Sequence, residues 1–113
     1  MSLVNEYFDL QEKYESKYGD KTIIFLEKGI FYEIYGIDND REKKGQASKV
    51  AQLLNIQLTR ANKKITENGI SNPLMTGFPV VSINKNLKIL LEHGYTIVTY
   101  DQQETTSERK ISN

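Results

Sequence analysis

The segment from Thr22 to Tyr35 constrains this chain more than any other. Thr22 to Glu27 is a short apolar, β-rich run, the mark of a strand covered on both faces. Lys28-Gly29 interrupts it as a tight turn. Ile30 to Tyr35 then alternates, with Ile30, Tyr32 and Ile34 on one face and Phe31, Glu33 and Tyr35 on the other. The pattern predicts a β-hairpin, so whatever fold the chain adopts has to contain a sheet.

The flanking sequence supplies helices for that sheet. Leu3, Tyr7, Leu10, Tyr14 and Tyr18 recur at four- and three-residue steps, which predicts an amphipathic helix over residues 3–17, ended by Gly19-Asp20. Asp38 to Gly45 is polar and charged, a loop. Ala47, Val50, Ala51 and Leu54 fall at helical spacing and predict a short second helix with Asn55 as its stop. Ile56 to Thr59 reads as a strand and residues 60–72 as a long loop. Leu74 to Phe78 reads as a weak strand broken by Gly77 and Pro79. A third helix is clearest, with Ser82 as N-cap, Ile83, Leu87, Leu90 and Leu91 as its buried stripe, and Gly94 just past its end. Tyr95 to Tyr100 follows as a strand, and Asp101 to Asn113 shows no pattern of its own. With 113 residues there is room for one compact domain. The order predicts an α+β (mixed α/β) fold, a mixed sheet of about five to six strands flanked by three helices.

Composition removes several kinds of chemistry. There is no Cys, so disulfides and thiolate metal sites are excluded, and the lone His93 cannot build a histidine cluster. His93 sits at a predicted helix end, where a His usually serves as a cation near the last carbonyls. No Ser-His-Asp or Cys-His set can form, and Gly29, Gly36 and Gly45 are too dispersed for a phosphate loop. Asp38-Asn39-Asp40 resembles half a calcium loop but lacks the later bidentate Glu, so it reads as turn chemistry, and no metal site is expected. No apolar run is long enough to span a membrane and no signal peptide is visible, which leaves an intracellular protein as the default. The formal net charge is zero, which argues against holding nucleic acid by bulk electrostatics alone. Its distribution is uneven: residues 1–20 sum to −3, whereas Arg41, Lys43, Lys44, Lys49, Arg60, Lys63 and Lys64 against Glu42 give residues 41–64 a net +6. That stretch is either a solvated basic face or a contact surface.

The informative residues are Phe31 and Glu33. On a strand they project to one side, roughly 6.6 Å apart at about 3.3 Å per residue. A flat ring beside a carboxyl could enter a base step from the minor groove while the carboxyl meets an edge of the displaced base. The plainer alternative has Phe31 and Tyr35 packing under a helix with Glu33 solvated, and spacing alone favours it.

Gly29-x-Phe31-Tyr32-Glu33 is similar to the G-x-F-Y-E motif that opens domain I of the MutS family of mismatch repair proteins. Further blocks follow in family order over residues 20–110. Leu53-Leu54-Asn55-Ile56-Gln57-Leu58-Thr59-Arg60 resembles the family's LLDI-x-LT-[KR] segment, and Pro73-Leu74-Met75-Thr76-Gly77-Phe78-Pro79 resembles its P-x-M-A-G-[IF]-P loop. Asp101-Gln102 and Ser107-Glu108-Arg109-Lys110 resemble the stretch leading into the next domain. The resemblance implies a mixed α/β mismatch-recognition domain over residues 1–110, with 111–113 beginning a linker or further domain of a longer protein. It implies that Phe31 stacks on a mispaired base and Glu33 hydrogen-bonds it. It also puts Arg60, Lys63, Lys64, Met75, Thr76, Gly77 and Pro79 near the minor groove and backbone. The implied partner is double-stranded DNA with mismatches or small loops. This domain would be non-catalytic and hold no cofactor. ATP, Mg and dimer contacts would belong to later domains of the parent. Lys28 and Ile30 depart from the commoner bacterial pattern, as does the composition of residues 61–72, and point to a divergent branch of the kind found in viruses or organelles. The compartment would then be cytoplasm or nucleoid, an organelle, or a virus-infected cell.

Two rivals belong beside this reading. Gly29-Ile30-Phe31 and Tyr35-Gly36 echo the GIY-YIG nucleases, but the two segments nearly touch here and the second helix carries Lys49 where that family has an Arg. A non-catalytic protein-interaction module with an exposed aromatic sheet face is the stronger rival.

Overall fold

The computed structural model describes residues 2–101 and 106–109. Helix α1 (Leu3–Tyr18) is followed by strands β1 (Thr22–Lys28), β2 (Phe31–Asp38) and β3 (Lys43–Gly45), helix α2 (Ala47–Leu54), and strands β4 (Thr59–Arg60) and β5 (Leu74–Pro79). A 3-10 turn (Val80–Ser82), helix α3 (Ile83–Glu92) and strands β6 (Thr96–Tyr100) and β7 (Thr106–Arg109) complete it. Six strands lie in the order β4-β5-β2-β1-β6-β7, with β3 pairing β2 off that path. Among the described residues only β1 and β6 run parallel; the other pairs are antiparallel, so the sheet is mixed, as its α+β reading requires.

β1 occupies the centre because its residues are apolar on both faces. Ile23, Ile24, Phe25 and Leu26 are all buried. The helices divide between those faces. Tyr35 meets Tyr7 of α1, ring centroids 4.9 Å apart, whereas a Cβ on the next residue, Gly36, would touch Ala47 of α2. Consecutive strand residues point to opposite sides, so α1 covers one face and α2, with α3 against it, covers the other. On the α2 face Phe25, Tyr32 and Phe78 form a triangle of rings with centroids 5.4 to 5.7 Å apart, spanning three neighbouring strands. Such offset and edge contacts add about 0.5–1.5 kcal/mol each to what burial alone supplies.

The helix ends follow their local chemistry. Asn55 closes α2 in the left-handed conformation (φ 55°), and Gly94 takes φ 84° just after α3, both at the expected positions. Ser82 precedes α3, but its side chain makes no capping bond because a 3-10 turn already occupies the approach.

Several expectations need correction. The hairpin turn is Gly29-Ile30, one residue later than expected, with Lys28 paired to Phe31. Glycine at the first turn position, at φ 62°, suits a two-residue hairpin. Ile30 therefore leaves the strand and stands 74% exposed, away from the face of Tyr32 and Ile34. The strand expected over Ile56–Thr59 is found at Thr59–Arg60, sharing only Thr59. Leu74–Pro79 is continuous, unbroken by Gly77. Lys43–Gly45, read as loop, and Thr106–Arg109, read as patternless, are strands, and they bring the sheet to seven. The expectation for 111–113 lies outside the described residues, as do Gln102 and Lys110. Among the described residues no helix is long and apolar enough to cross a membrane.

Candidate functional site

The site forms where α1 stops covering its face of the sheet. Along β2 that face carries Phe31, Glu33, Tyr35 and Ile37. Tyr35 and Ile37 are buried, whereas Phe31, at the hairpin end, is 46% exposed. The residues paired across the strands extend this face: Lys28 and Pro79 flank Phe31, and Leu26 and Gly77 flank Glu33. The plainer sequence reading is thus half right. Tyr35 does pack under a helix, and Phe31 does not.

Glu33 is held in place. Its Oε1 accepts a 2.8 Å hydrogen bond from the Tyr35 hydroxyl and lies 3.9 Å from Lys28 Nζ. Burial pushes the Tyr35 phenol up from its ordinary pKa, and the hydrogen bond to Glu33 and that residue's charge push it the same way. Tyr35 therefore stays a donor at any ordinary pH.

Beside this pair lies a surface pocket of about 260 Å³. Of the residues expected near DNA, Phe31, Glu33, Lys63, Met75, Thr76 and Gly77 line it. Gly77 leaves room that a side chain would not, because a Cβ there would come within 2.4 Å of the Tyr32 carbonyl oxygen. Met75 to Pro79, a weak strand by its residues and a loop by its resemblance, is strand β5, and Thr76 points its hydroxyl inward to the Gln57 carbonyl at 2.8 Å. Pro79 pairs with Phe31 but does not line the pocket. Gln57 and Thr59 do line it, and sequence reasoning missed them. They sit two apart in the stretch read as a strand, the spacing of one strand face, but nothing in the sequence paired that stretch with β5.

Two expected contact residues do not line this pocket. Arg60 turns its guanidinium into its own loop, donating from Nε to the Ile65 carbonyl at 2.7 Å and from Nη2 to the Lys63 carbonyl at 3.0 Å. Lys64 is exposed and does not line the pocket. The basic stretch is not one surface either: Lys43 and Lys44 line a cleft with Glu12 and Glu15 of α1, while Lys63 stands by Phe31.

The remaining motifs resolve as structure. Asn39 Oδ1 accepts from the backbone N–H groups of Arg41 and Glu42, at 2.8 and 3.0 Å, so the acidic loop is an Asx turn. His93 Nδ1 lies 2.8 Å from the Ile89 carbonyl at the end of α3. Among the described residues no group of three His, Asp or Glu could hold a metal ion.

By class, then, this is an α+β domain whose mixed sheet presents an aromatic ring and a braced carboxylate beyond its covering helix. The family model for MutS domain I matches residues 2–113. A putative DNA mismatch repair protein, a MutS homologue of Acanthamoeba polyphaga mimivirus, is 41% identical over 86% of this chain and 8% of its own length. The mitochondrial DNA mismatch repair MutS homologue of Sarcophyton glaucum is 31% identical over 88% of the chain and 12% of its own length. The DNA mismatch repair protein MutS of Petrotoga mobilis is 30% identical over 96% of the chain and 10% of its own length. The chain belongs to the MutS domain I family. It spans only about a tenth of the length of the relatives it matches.

Proposed function

We propose that this domain reads mismatches in duplex DNA for a longer mismatch repair protein, with Phe31 as a wedge that stacks on a mispaired base and Glu33 as the group that hydrogen-bonds it. The observation that carries the reading is the pairing of a half-exposed Phe31 with a braced Glu33 at the end of the sheet face that α1 covers. The names of the relatives, all mismatch repair proteins, support the same role. Lys63, Met75 and Gly77 border the pocket into which a displaced base edge would fit. The domain itself is non-catalytic in this reading; ATP hydrolysis with Mg and dimer formation belong to other parts of the parent. Its partner is duplex DNA carrying mismatches or small loops.

The two residues act differently. A mispaired base is cheaper to displace than a paired one, and stacking on an aromatic ring contributes about 1–3 kcal/mol per base. Phe31→Ala should therefore lower affinity for mismatched duplex towards that for paired duplex. Glu33 is repelled by phosphates on every duplex, and only a mispaired base with a donor to offer recovers that penalty. Glu33→Gln should strengthen binding to paired DNA and shrink discrimination. Dissociation constants of both variants of the full-length protein on matched and mismatched duplexes test this. Equal weakening of both duplexes by Glu33→Gln, or intact discrimination in Phe31→Ala, would make the assignment wrong. Absence of any duplex preference in the unmodified protein would favour the protein-interaction alternative.

A further inference from the structure

A glutamate side chain has three rotatable bonds, and one left free beside a polyanion would swing away from the phosphates. Glu33 is not free. The partners of its carboxylate among the described residues both act on Oε1: the Tyr35 hydroxyl at 2.8 Å and the more distant Lys28 ammonium at 3.9 Å. Lys28 is half-exposed, so solvent and salt screen that contact and it holds little by itself. Tyr35 differs in that only 4% of it is exposed. Its ring leans on that of Tyr7, which is itself buried and anchored by a 2.6 Å hydrogen bond from its hydroxyl to the Ile24 carbonyl of the central strand. A line of fixed contacts thus runs from the middle of the sheet, through α1, to one oxygen of Glu33.

We propose that Tyr35 is a positioning residue for mismatch discrimination: its hydroxyl pins Oε1 of Glu33 and so presents Oε2 to the displaced base. The inference rests on the reading of Glu33 given above. Pinning one oxygen has two effects. It removes the rotamers in which the carboxylate retreats from DNA, so the repulsion falls on every paired duplex. It also leaves one oxygen with its lone pairs unspent, placed where a base N–H can approach. A hydrogen bond to a charged acceptor is of the stronger kind, which suits a device that has to hold a carboxylate against a field.

The test uses the full-length protein and four forms: unmodified, Tyr35→Phe, Glu33→Ala and the double variant. Each is titrated with a fully paired duplex and with the same duplex carrying one G·T mismatch, and the ratio of the two dissociation constants is the readout. Tyr35→Phe keeps the ring and its packing, and a melting temperature near that of the unmodified protein checks that. The expected result is a fall of roughly tenfold in the ratio, equivalent to about 1.4 kcal/mol, with much of it arising from tighter binding to paired DNA. Added to Glu33→Ala, Tyr35→Phe should change nothing further, because the pinned group is gone. If Glu33→Ala lowers the ratio and Tyr35→Phe does not, the positioning role is overturned and the Glu33 reading stands. If Tyr35→Phe weakens both duplexes alike, or acts undiminished in the Glu33→Ala background, its role is structural only and the proposal fails. If Glu33→Ala leaves the ratio unchanged, the reading of Glu33 fails first.

Discussion

At Gly77 strand β5 comes so close to β2 that no side chain fits between them. An added Cβ would sit 2.4 Å from the Tyr32 carbonyl oxygen, and the obstacle is backbone, which cannot rotate aside. Gly77 is also paired directly with Glu33 and lines the pocket beside the carboxylate. Gly77→Ala should destabilise the domain by about 1–3 kcal/mol, the usual cost of overpacking. It should also blunt discrimination by pushing β5 away from Glu33. Urea unfolding checks the first part, as a lowered midpoint at unchanged slope, and an unaltered midpoint would show that the strands part without cost. The residue scale is also where Arg60 and Lys63, three apart, separate in role: one spends its charge on loop carbonyls, the other stands at the pocket.

Among the elements, the segment from 61 to 72 behaves as a built structure rather than slack chain. Asn72, which is buried, donates from Nδ2 to the Glu67 carbonyl at 2.9 Å and accepts at Oδ1 from the Asn62 N–H at 2.7 Å. Asn68 clasps Asp38 reciprocally, backbone N–H to Oδ1 at 2.7 Å and Nδ2 to carbonyl at 2.9 Å. Amide side chains replace the strand partners this segment lacks, and they fix the loop that carries Lys63. Replacing Asn72 with Ala removes these part-buried hydrogen bonds, at about 0.5–1.5 kcal/mol each. Hydrogen exchange should then speed up at Ala61 and Asn62 while amides of β1 keep their protection, since local opening does not require global unfolding. Unchanged exchange at those two amides would mean the loop is held by something other than Asn72.

For the whole molecule, charge and size set the limits of what the domain can do by itself. Its radius of gyration is 13.2 Å, as for one compact unit, and its formal net charge is zero. With the basic residues split between two surfaces, little bulk electrostatic attraction to DNA remains. A wedge also needs bent DNA, and bending costs roughly 1–6 kcal/mol. In the proposed reading, other parts of the parent protein offset that cost. The isolated domain should therefore bind mismatched duplex no tighter than about 1 µM at physiological salt, the range of non-specific contacts. Fluorescence anisotropy at several salt concentrations would show it, and nanomolar affinity would mean the domain is a self-sufficient reader.

What the sequence determined by itself was whatever depends on local periodicity. The three helices, the buried β1 and the alternation of β2 are all carried by apolar residues at helical or strand spacing, and burial of those residues drives folding. The same alternation put Phe31, Glu33 and Tyr35 on one face, and the ordered motifs carried the family. Tertiary structure alone decided the polar strands β3 and β7 and the place of β4, because edge strands pair through backbone groups and need no apolar face to mark them. It decided that the weak strand read over Leu74 to Phe78 runs unbroken through Gly77, whose missing Cβ leaves room for the Tyr32 carbonyl of the neighbouring strand. And it decided which of Phe31 and Tyr35 is covered: both lie on one face of β2, but α1 reaches only as far as Tyr35, and where a helix ends over a sheet is set by packing between segments distant in the chain.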